Sequence, residues 1–227
     1  MTGTVEALEV TVTAPVVSFR NPLYAGIQKG LPCPPPATIG GMLAAAAGGW
    51  QHVAETFRFA AAFTAAGAGV DLETYHPLTA ERTQPPTVPK DREFLFSVVL
   101  TVWLLDDLDR WEHRMRRPVW PVRLGRSQDL ASARTRRVRL TAGPGEQRQA
   151  IIPAAACGGH HRPFQGLQLQ LPTAVSAARD RTRWDAYRYA STGVGGQVDG
   201  ALVTADGHAV VLLPPAHPGQ LGEVPVS

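Results

Sequence analysis

The stretch FRNPLYAGIQKGLPCPPPATIGGMLAAAAGGW, residues 19–50, is the most informative part of the chain, because it runs from a basic loop into a clearly marked helix start. Three consecutive prolines at 34–36 can neither continue a helix nor donate to a sheet, so they predict extended backbone up to Thr38, which we expect to cap the helix. The helix should begin near Ile39, where apolar residues start to recur at helical spacing. Its glycines and alanines leave room for a sheet to pack closely against it.

The loop before this helix carries polar and basic side chains of the kind that bind phosphate. Backbone N–H groups at a helix start are exposed, and the positive end of the helix dipole favours an anion there. A phosphate-bearing ligand is therefore the partner that this loop predicts. The side chains concerned are Arg20, Asn21, Tyr24, Gln28 and Lys29.

Hydrophobic patterns on both sides of this stretch predict strands. Residues 6–13 alternate strictly between apolar and polar, which is typical of a half-buried strand. Residues 57–65 place apolar side chains on one face, and residues 94–105 are apolar at nearly every position. We expect both segments to be central strands of a sheet.

A second helix should open at Asp106 and Asp107, whose carboxylates suit a helix N-terminus. Its apolar stripe consists of Leu108, Trp111 and Met115. If residues 120–124 form the next strand, the order is strand, helix, strand, strand, helix, strand. That order is typical of the ferredoxin-like, RRM-type α+β fold, which we predict for an N-terminal domain over residues 1–142.

Two regions lie outside this order. Residues 67–93 contain a polar, proline-bearing excursion that is too long for a tight hairpin, and long excursions usually carry function or disorder. Residues 143–227 predict a smaller β-rich region, with a hairpin over residues 201–213 that turns at Asp206 and Gly207. From Pro214 onward we expect a loose tail.

Basic charge is concentrated in one segment. The chain has a net charge of only +3, but residues 110–139 contain ten arginines against two acids, a local net charge of +8. A polyanion is the natural partner of such a segment. Lys29 and Lys90 are the chain's two lysines, so the arginine bias reflects either guanidinium recognition of phosphate or a GC-rich genome.

Composition and motif spacing exclude several other classes. No uncharged apolar run reaches membrane-spanning length, and the opening MTGTVEALEV lacks the pattern of a secretory signal. Cys33 and Cys157 are too few for a disulfide framework, which points to a reducing cytoplasm. His160 and His161 lack a second ligand pair at zinc-like spacing, and the glycine run at 193–200 lacks the setting of a nucleotide-binding motif. We predict no metal and no cofactor.

Two blocks of the sequence together resemble the Cas5 family. The first is SFRNP, residues 18–22, followed by LPCPPPATIGGML, residues 31–43. The second is RPVWPVRLGRSQDL, residues 117–130, whose proline-aromatic-proline run leads into Leu-Gly-Arg-Ser at 124–127. The family comprises RAMP-superfamily subunits of type I CRISPR surveillance complexes (Cascade), and the first block is most similar to the variant found with subtype I-B.

The resemblance implies a ferredoxin-like fold and a non-catalytic RNA-binding subunit in antiviral defence. Such a subunit holds the 5′ handle of processed CRISPR RNA (crRNA), joins the backbone and large subunits, and meets target DNA indirectly. The excursion at 67–93 would be the family's thumb, with Arg82, Lys90 and Arg92 facing RNA. A single-stranded handle needs phosphate donors and stacking surfaces. The RNA contacts that we expect are Arg20, Asn21, Tyr24, Lys29, Thr38, Arg123, Arg126 and Ser127, with Trp120 as a further stacking surface.

Plainer interpretations and one rival stay open from the sequence. In the plainest interpretation, Trp120 is a core residue, the arginines are a solvated surface and the excursion is an ordinary loop. The rival is a metal-independent endoribonuclease, because subtype I-C relatives cleave repeat RNA with a tyrosine, a lysine and a histidine. Tyr75, His76 and Lys90 could supply that set across the excursion. A scaffold without RNA contact is the third alternative.

Overall fold

The computed structural model describes residues 3–24, 29–75, 87–157, 166–193 and 195–222, and only the backbone of Tyr75, Val88 and Cys157. This part of the chain is an α+β protein with nine strands in one mostly antiparallel sheet and two α-helices. The strands are β1 (Thr4–Val17), β2 (Ala60–Tyr75), β3 (Val88–Leu104), β4 (Ser132–Glu146), β5 (Ala150–Pro153), β6 (Leu167–Val175), β7 (Thr182–Tyr189), β8 (Gln197–Val203) and β9 (Ala209–Val210). The helices are α1 (Pro36–Ala47) and α2 (Leu108–Arg116), with short 3-10 helices at Trp50–His52, Ala154–Cys157 and Pro218–Leu221.

The strands lie in the order β6-β7-β5-β2-β3-β1-β4-β8-β9. The first six elements follow the predicted succession of strand, helix, strand, strand, helix and strand. β1 pairs with β3 on one side and β4 on the other, and β2 pairs with β3. Because α1 connects β1 to β2 and α2 connects β3 to β4, both helices cross over a neighbouring strand.

The fourth strand is not where the sequence predicted it. Residues 120–124 stay out of the sheet because this segment closes on itself. The N–H of Ala131 donates to the carbonyl of Val122 at 3.0 Å, and the N–H of Leu124 donates to the carbonyl of Asp129 at 3.0 Å. β4 begins at Ser132 and pairs with β1, so residues 122–131 form a separate loop that leads into it.

Apolar residues that the periodicity predicted lie in the core between the sheet and the helices. Leu8, Val10 and Val12 of β1 are fully buried, as are Ile39 and Leu43 of α1. Burial of one such side chain contributes about 1.5–3 kcal/mol relative to leaving it exposed. The close packing of α1 therefore fixes the position of everything attached to its two ends.

Both helix starts differ from the predicted caps. α1 begins at Pro36, after extended Pro35, and Thr38 lies inside the first turn, where no side chain caps the helix. Proline suits the first helical position because its φ is already helical and its missing N–H has no partner to lose. At α2, Asp107 has a left-handed φ of 50° and its side chain makes no capping hydrogen bond. The predicted apolar stripe of α2 is confirmed by burial of Trp111 and Met115.

The excursion at 67–93 is mostly strand in its described part. β2 and β3 stay paired from the sheet out to Tyr75 and Val88, which forms a two-stranded ribbon. Ser97 interrupts the ribbon with a φ of 48° without shifting the register. Residues 76–86, which include His76 and Arg82, lie outside the described residues.

The strands after β4 extend the sheet at both of its edges. The predicted hairpin is confirmed, since β8 pairs with β9 and the N–H of Gly207 donates to the carbonyl of Thr204 at 2.9 Å. The predicted loose tail is wrong as far as Gly222, because Ala216 is 3% exposed and Arg181 donates to the Gly222 carbonyl at 2.6 Å. The predicted division at residue 142 falls inside β4 and stays a prediction.

No helix in the described ranges is long and apolar enough to cross a membrane.

Candidate nucleic-acid interface

The basic loop that precedes α1 is closed at its base by backbone hydrogen bonds. The N–H of Leu31 donates to the Phe19 carbonyl at 2.7 Å, and the N–H of Asn21 donates to the Lys29 carbonyl at 2.8 Å. Arg20 lies between these two bonds and is exposed. The predicted loop is therefore a short paired arch, although residues 25–28, which include Gln28, lie outside the described residues.

Two other predicted contacts lie at the tip of this arch. The Asn21 side chain accepts a hydrogen bond from the N–H of Leu23 at 3.1 Å, so it shapes the turn. Tyr24 is 49% exposed, and its N–H donates to the Asn21 carbonyl at 3.3 Å. Asn21 thus orients the backbone, and Tyr24 presents a ring to solvent.

Glu93 ties the arch to the ribbon. Its carboxylate accepts from Lys29 Nζ at 2.7 Å and from the N–H of Gly30 at 2.9 Å, while its carbonyl accepts from the Ser18 hydroxyl at 2.7 Å. The hydrogen bonds from Lys29 and from the N–H of Gly30 lower the pKa of Glu93, and the bond to Glu93 raises the pKa of Lys29. Lys29, which we predicted as a phosphate ligand, is already paired with a carboxylate.

Asp129 joins the two sequence blocks that resemble the family. Its side chain is 3% exposed and accepts hydrogen bonds from the N–H of Ser18 at 3.2 Å and from the N–H of Arg126 at 3.1 Å. The Arg126 guanidinium binds the same carboxylate through Nε at 3.0 Å and Nη2 at 2.7 Å. The carboxylate therefore fastens the loop at 122–131 to the end of β1.

At Gly125 the loop at 122–131 approaches the backbone at the end of β1 closely. The φ of Gly125 is +100°, a conformation that favours glycine, and a Cβ at this position would lie 2.8 Å from the Ser18 carbonyl oxygen. The Leu-Gly-Arg-Ser sequence needs its glycine because the two loops touch here through their backbones.

The junction leaves some of the predicted side chains unpaired and uses others structurally. Arg20, Arg123 and Ser127 are exposed, and their side chains have no hydrogen-bond or ion-pair partner among the residues that the structure describes. Arg126 is different, because its side chain is 21% exposed and is held by Asp129. Its first role is to shape the loop.

A groove of about 460 Å³ lies between the exposed side of α1 and the segment at 120–125, and we name it the α1 groove. Thr38 and Arg123, two predicted contacts, line it together with Trp120. Trp120 is 60% exposed, so the interpretation of Trp120 as a core residue is wrong. The lining of the groove includes Thr38, Gly41, Trp120, Arg123 and Arg179.

Arg179 lines this groove from the turn between β6 and β7, and no sequence pattern predicts its role. Ser176 builds the turn by donating its hydroxyl to Asp180 at 2.5 Å and accepting the N–H of Asp180 at 3.1 Å. Arg179 is exposed and has a left-handed φ of 61°. No local pattern predicts that this turn lies beside α1.

Arg92, one of the residues predicted to face RNA, is held by acids of the ribbon. Arg92 forms ion pairs with Asp71 and, at 3.7 Å, with Glu73, and its side chain is 11% exposed. Lys90 lies opposite Glu73 in the register of the ribbon. A contact of either residue with RNA stays a prediction, and Arg92 would have to leave its carboxylates to make it.

The arginine-rich segment does not form one continuous basic surface. Arg137 pairs with Asp109 at 2.6 Å and Glu112 at 3.1 Å of α2, and Arg136 pairs with Glu9 of β1 at 2.6 Å. Acids from other elements thus neutralise several of the ten arginines. What remains available for a polyanion is a smaller set of unpaired residues.

The remaining candidates from the sequence are the glycine run at 193–200, the histidines His160 and His161, and Cys33. A Cβ at Gly195 would lie 2.6 Å from the Cβ of Gln147, so this glycine of the run allows close packing. His160 and His161 lie outside the described residues. Within the described ranges no group of three His, Cys, Asp or Glu side chains could hold a metal. Cys33 is a buried free thiol, and burial raises its pKa.

Comparisons with known proteins identify the family. The sequence model of the family described as CRISPR-associated protein (Cas_Cas5) matches residues 7–189, and the chain belongs to this family. No curated protein matches the sequence significantly.

Solved structures show the same fold at low identity. A chain of a structure described as "CRISPR RNA-guided surveillance complex" is 18% identical, with a TM-score of 0.51 over 89% of this chain and 93% of that one. A CRISPR protein from Archaeoglobus fulgidus is 12% identical, with a TM-score of 0.54 over 92% of this chain and 100% of that one. The mostly antiparallel sheet with few helices is therefore shared with CRISPR proteins.

Proposed function

We propose that this protein is a non-catalytic RNA-binding subunit of a type I Cascade surveillance complex, which holds the 5′ handle of crRNA. The observation that carries the proposal is the junction at Asp129. Both family blocks meet there, and the unpaired arginines Arg20 and Arg123 flank it on the surface. Membership of the Cas5 family supports a role in CRISPR defence.

The strand order supports the finer fold assignment. We assign the unit β1-α1-β2-β3-α2-β4, with its strands in the order β2-β3-β1-β4, to the ferredoxin-like fold. The ribbon of β2 and β3 is then the thumb, which leans on a neighbouring backbone subunit. The protein also joins the large subunit of the complex, and target DNA is contacted only through the assembled complex.

Charge chemistry explains how the site would bind a single-stranded handle. Guanidinium groups bind phosphate oxygens, and the counterions that they displace are released into solution. Arg20 and Arg123 can do this without first breaking an ion pair, because neither has a partner in the described part of the chain. Ser127 adds a hydroxyl donor, and Tyr24 adds a stacking surface.

The test is the salt dependence of binding to a labelled single-stranded oligoribonucleotide from the cognate repeat. For single strands, each phosphate contact contributes roughly 0.7 to the slope of log K against log salt. Arg20→Ala and Arg123→Ala should each weaken binding and lower the slope by about that amount. Arg134→Ala is the matched control, because Arg134 is exposed and unpaired within the described residues but lies opposite Thr11, on the sheet face away from the helices.

Unchanged slopes for Arg20→Ala and Arg123→Ala would rule out these contacts, and absence of salt-dependent RNA binding would support a scaffold. Incubation of the protein with repeat RNA in EDTA separates the binder from the endoribonuclease. The binder leaves the RNA intact, whereas a single discrete product would establish the nuclease. In an assembled complex, omission of this subunit should expose the 5′ handle to added nuclease.

A further inference from the structure

We infer that the α1 groove binds one unstacked nucleotide of single-stranded RNA, with its base on Trp120 and its phosphate between Arg123 and Arg179. The inference rests on the proposed function and extends it, because it names a subsite and brings in Arg179 from the far C-terminal part of the fold. Three features of the groove carry it: an exposed aromatic plane, two unpaired cations and open space.

The backbone that carries the aromatic side chain is anchored on both sides of Trp120. The N–H of Val119 donates to the Ala46 carbonyl at 3.1 Å, near the end of α1, and Val122 is 8% exposed. Trp120, between these two anchors, is 60% exposed. A large aromatic side chain fixed at a groove wall and left in contact with water is a stacking surface for an unpaired base.

The two cations differ from the arginines of this protein that form ion pairs. Arg126, Arg136 and Arg137 have carboxylate partners, whereas Arg123 and Arg179 are exposed and unpaired among the described residues. No acid lines the α1 groove within the same residues. Two guanidinium groups without a counter-charge favour a phosphate, and an aromatic wall beside them favours the base that the phosphate carries.

The backbone of Arg179 gives a second reason to assign it a role. Its φ of 61° is unusual for a residue with a side chain, and glycine would fit this turn without strain. The strain is compatible with a side chain that is retained for what it binds. The Ser176 hydroxyl and the Asp180 carboxylate hold the turn in this conformation.

The space suits a single nucleotide. The volume of about 460 Å³ lies in the range of roughly 300–1,000 Å³ that is typical of sites for small ligands. At Gly41, on the floor of the groove, an added Cβ would meet nothing within 4 Å. A free phosphate would not contact the tryptophan, and an apolar ligand would not pair with the arginines. A nucleotide of the RNA can use the tryptophan and the arginines together.

Two substitutions separate binding from folding. Gly41→Leu fills the groove and should keep or raise the melting temperature, because leucine is the better helix former and has free space. Arg179→Gly removes the guanidinium and also relieves the positive φ. Gly143→Ala is the control, since Gly143 lies in β4 and its Cβ would also meet nothing within 4 Å.

The experiment uses single-stranded repeat RNA with 2-aminopurine at successive positions, because stacking quenches its fluorescence. The full-length protein should quench one position strongly. Trp120→Ala and Gly41→Leu should abolish that quenching and weaken binding roughly 5- to 150-fold, the equivalent of about 1–3 kcal/mol at 1.4 kcal/mol per tenfold. Arg179→Gly should lower the salt slope by about 0.7. Gly143→Ala should behave as wild type.

The outcomes distinguish the two proposals. If the groove variants bind RNA as wild type does while Arg20→Ala still weakens binding, the groove assignment is overturned and the proposed function stands. If the groove variants retain RNA affinity but fail to assemble with the other subunits, the groove is a protein contact and the assignment is likewise overturned. If the wild-type protein binds no RNA, the proposed function fails as well.

Discussion

The backbone N–H of Ser18 donates a 3.2 Å hydrogen bond to Oδ2 of Asp129, a residue 111 positions further along the chain. The bond joins the end of β1 to the loop that carries Leu-Gly-Arg-Ser. Arg126 binds the same carboxylate through two guanidinium nitrogens, so Asp129 also holds the loop's own backbone and side chain together. The unpaired Arg123 is presented to solvent from this loop.

Asp129→Ala should destabilise the protein by about 3–5 kcal/mol, the usual cost of removing one partner from a buried ion pair. The Asp129 side chain is 3% exposed and that of Arg126 is 21% exposed, so the remaining arginine would be largely desolvated and unpaired. Urea unfolding followed by circular dichroism measures the change. The double variant with Arg126→Ala should lose less than the sum of the two single variants, and additive losses would show that the pair is not coupled.

Gly125→Ala should cost more stability than Gly200→Ala. Both glycines have positive φ, +100° and +67°, so alanine pays a backbone cost of about 1–2 kcal/mol at either site. At Gly125 the new Cβ would also lie 2.8 Å from the Ser18 carbonyl oxygen, whereas at Gly200 it would meet nothing within 4 Å. Equal losses in urea unfolding would contradict the close contact between the two loops.

The carboxyl pKa of Glu93 should lie below its ordinary value, because Lys29 and the N–H of Gly30 both hydrogen-bond the charged form. Stabilisation from this carboxylate is present above the ordinary carboxyl pKa and is lost as pH falls through the lowered folded-state pKa. Carbon NMR titration measures the value directly. Lys29→Met should raise it only part of the way, since the Gly30 bond remains; a full return to normal would show that the backbone bond contributes nothing.

His208 should make the protein less stable in mild acid. Burial is the main cause that lowers its pKa, followed by the charge of Arg148, while Asp206, Glu9 and Glu146 act in the opposite direction. As pH falls below the ordinary histidine pKa of about 6.5, the unfolded chain takes up a proton that folded His208 resists, and the free energy of unfolding decreases.

His208→Phe keeps a ring beside Trp103, where the two ring centroids are now 5.3 Å apart, and removes the titrating group. Urea unfolding at pH 7.5, 6.5 and 5.5 should therefore show a smaller acid-dependent loss for the variant than for wild type. The same loss in both proteins would assign the acid sensitivity to other groups.

Local patterns predict the order of the strands and helices but not the residues at which they begin and end. Alternation along β1 predicted its buried face, and helical spacing predicted the buried residues of α1 and α2. Residues 120–124 are apolar enough to predict the fourth strand, but this segment closes on its own loop. The composition of the excursion is that of a loop, so local patterns do not predict a strand there. The strands form because its two halves pair with each other in the ribbon.

The candidate site was predictable only as a set of residues. The two sequence blocks named Arg20, Arg123 and Arg126, but their spacing cannot show that Asp129 neutralises Arg126 and leaves the other two unpaired. Arg179 was missed because nothing near it in sequence points to α1.

The sequence by itself determined the succession of strands and helices, the buried faces and the two family blocks, because each of these depends on residues that are close together in the chain. Tertiary structure alone decided which arginines keep a free charge, where the blocks meet and that Trp120 faces a groove. The physical reason is that ion pairs and close backbone contacts depend on which distant segments the sheet brings together. Ser18 and Asp129 meet only because β1 and the loop before β4 pack side by side.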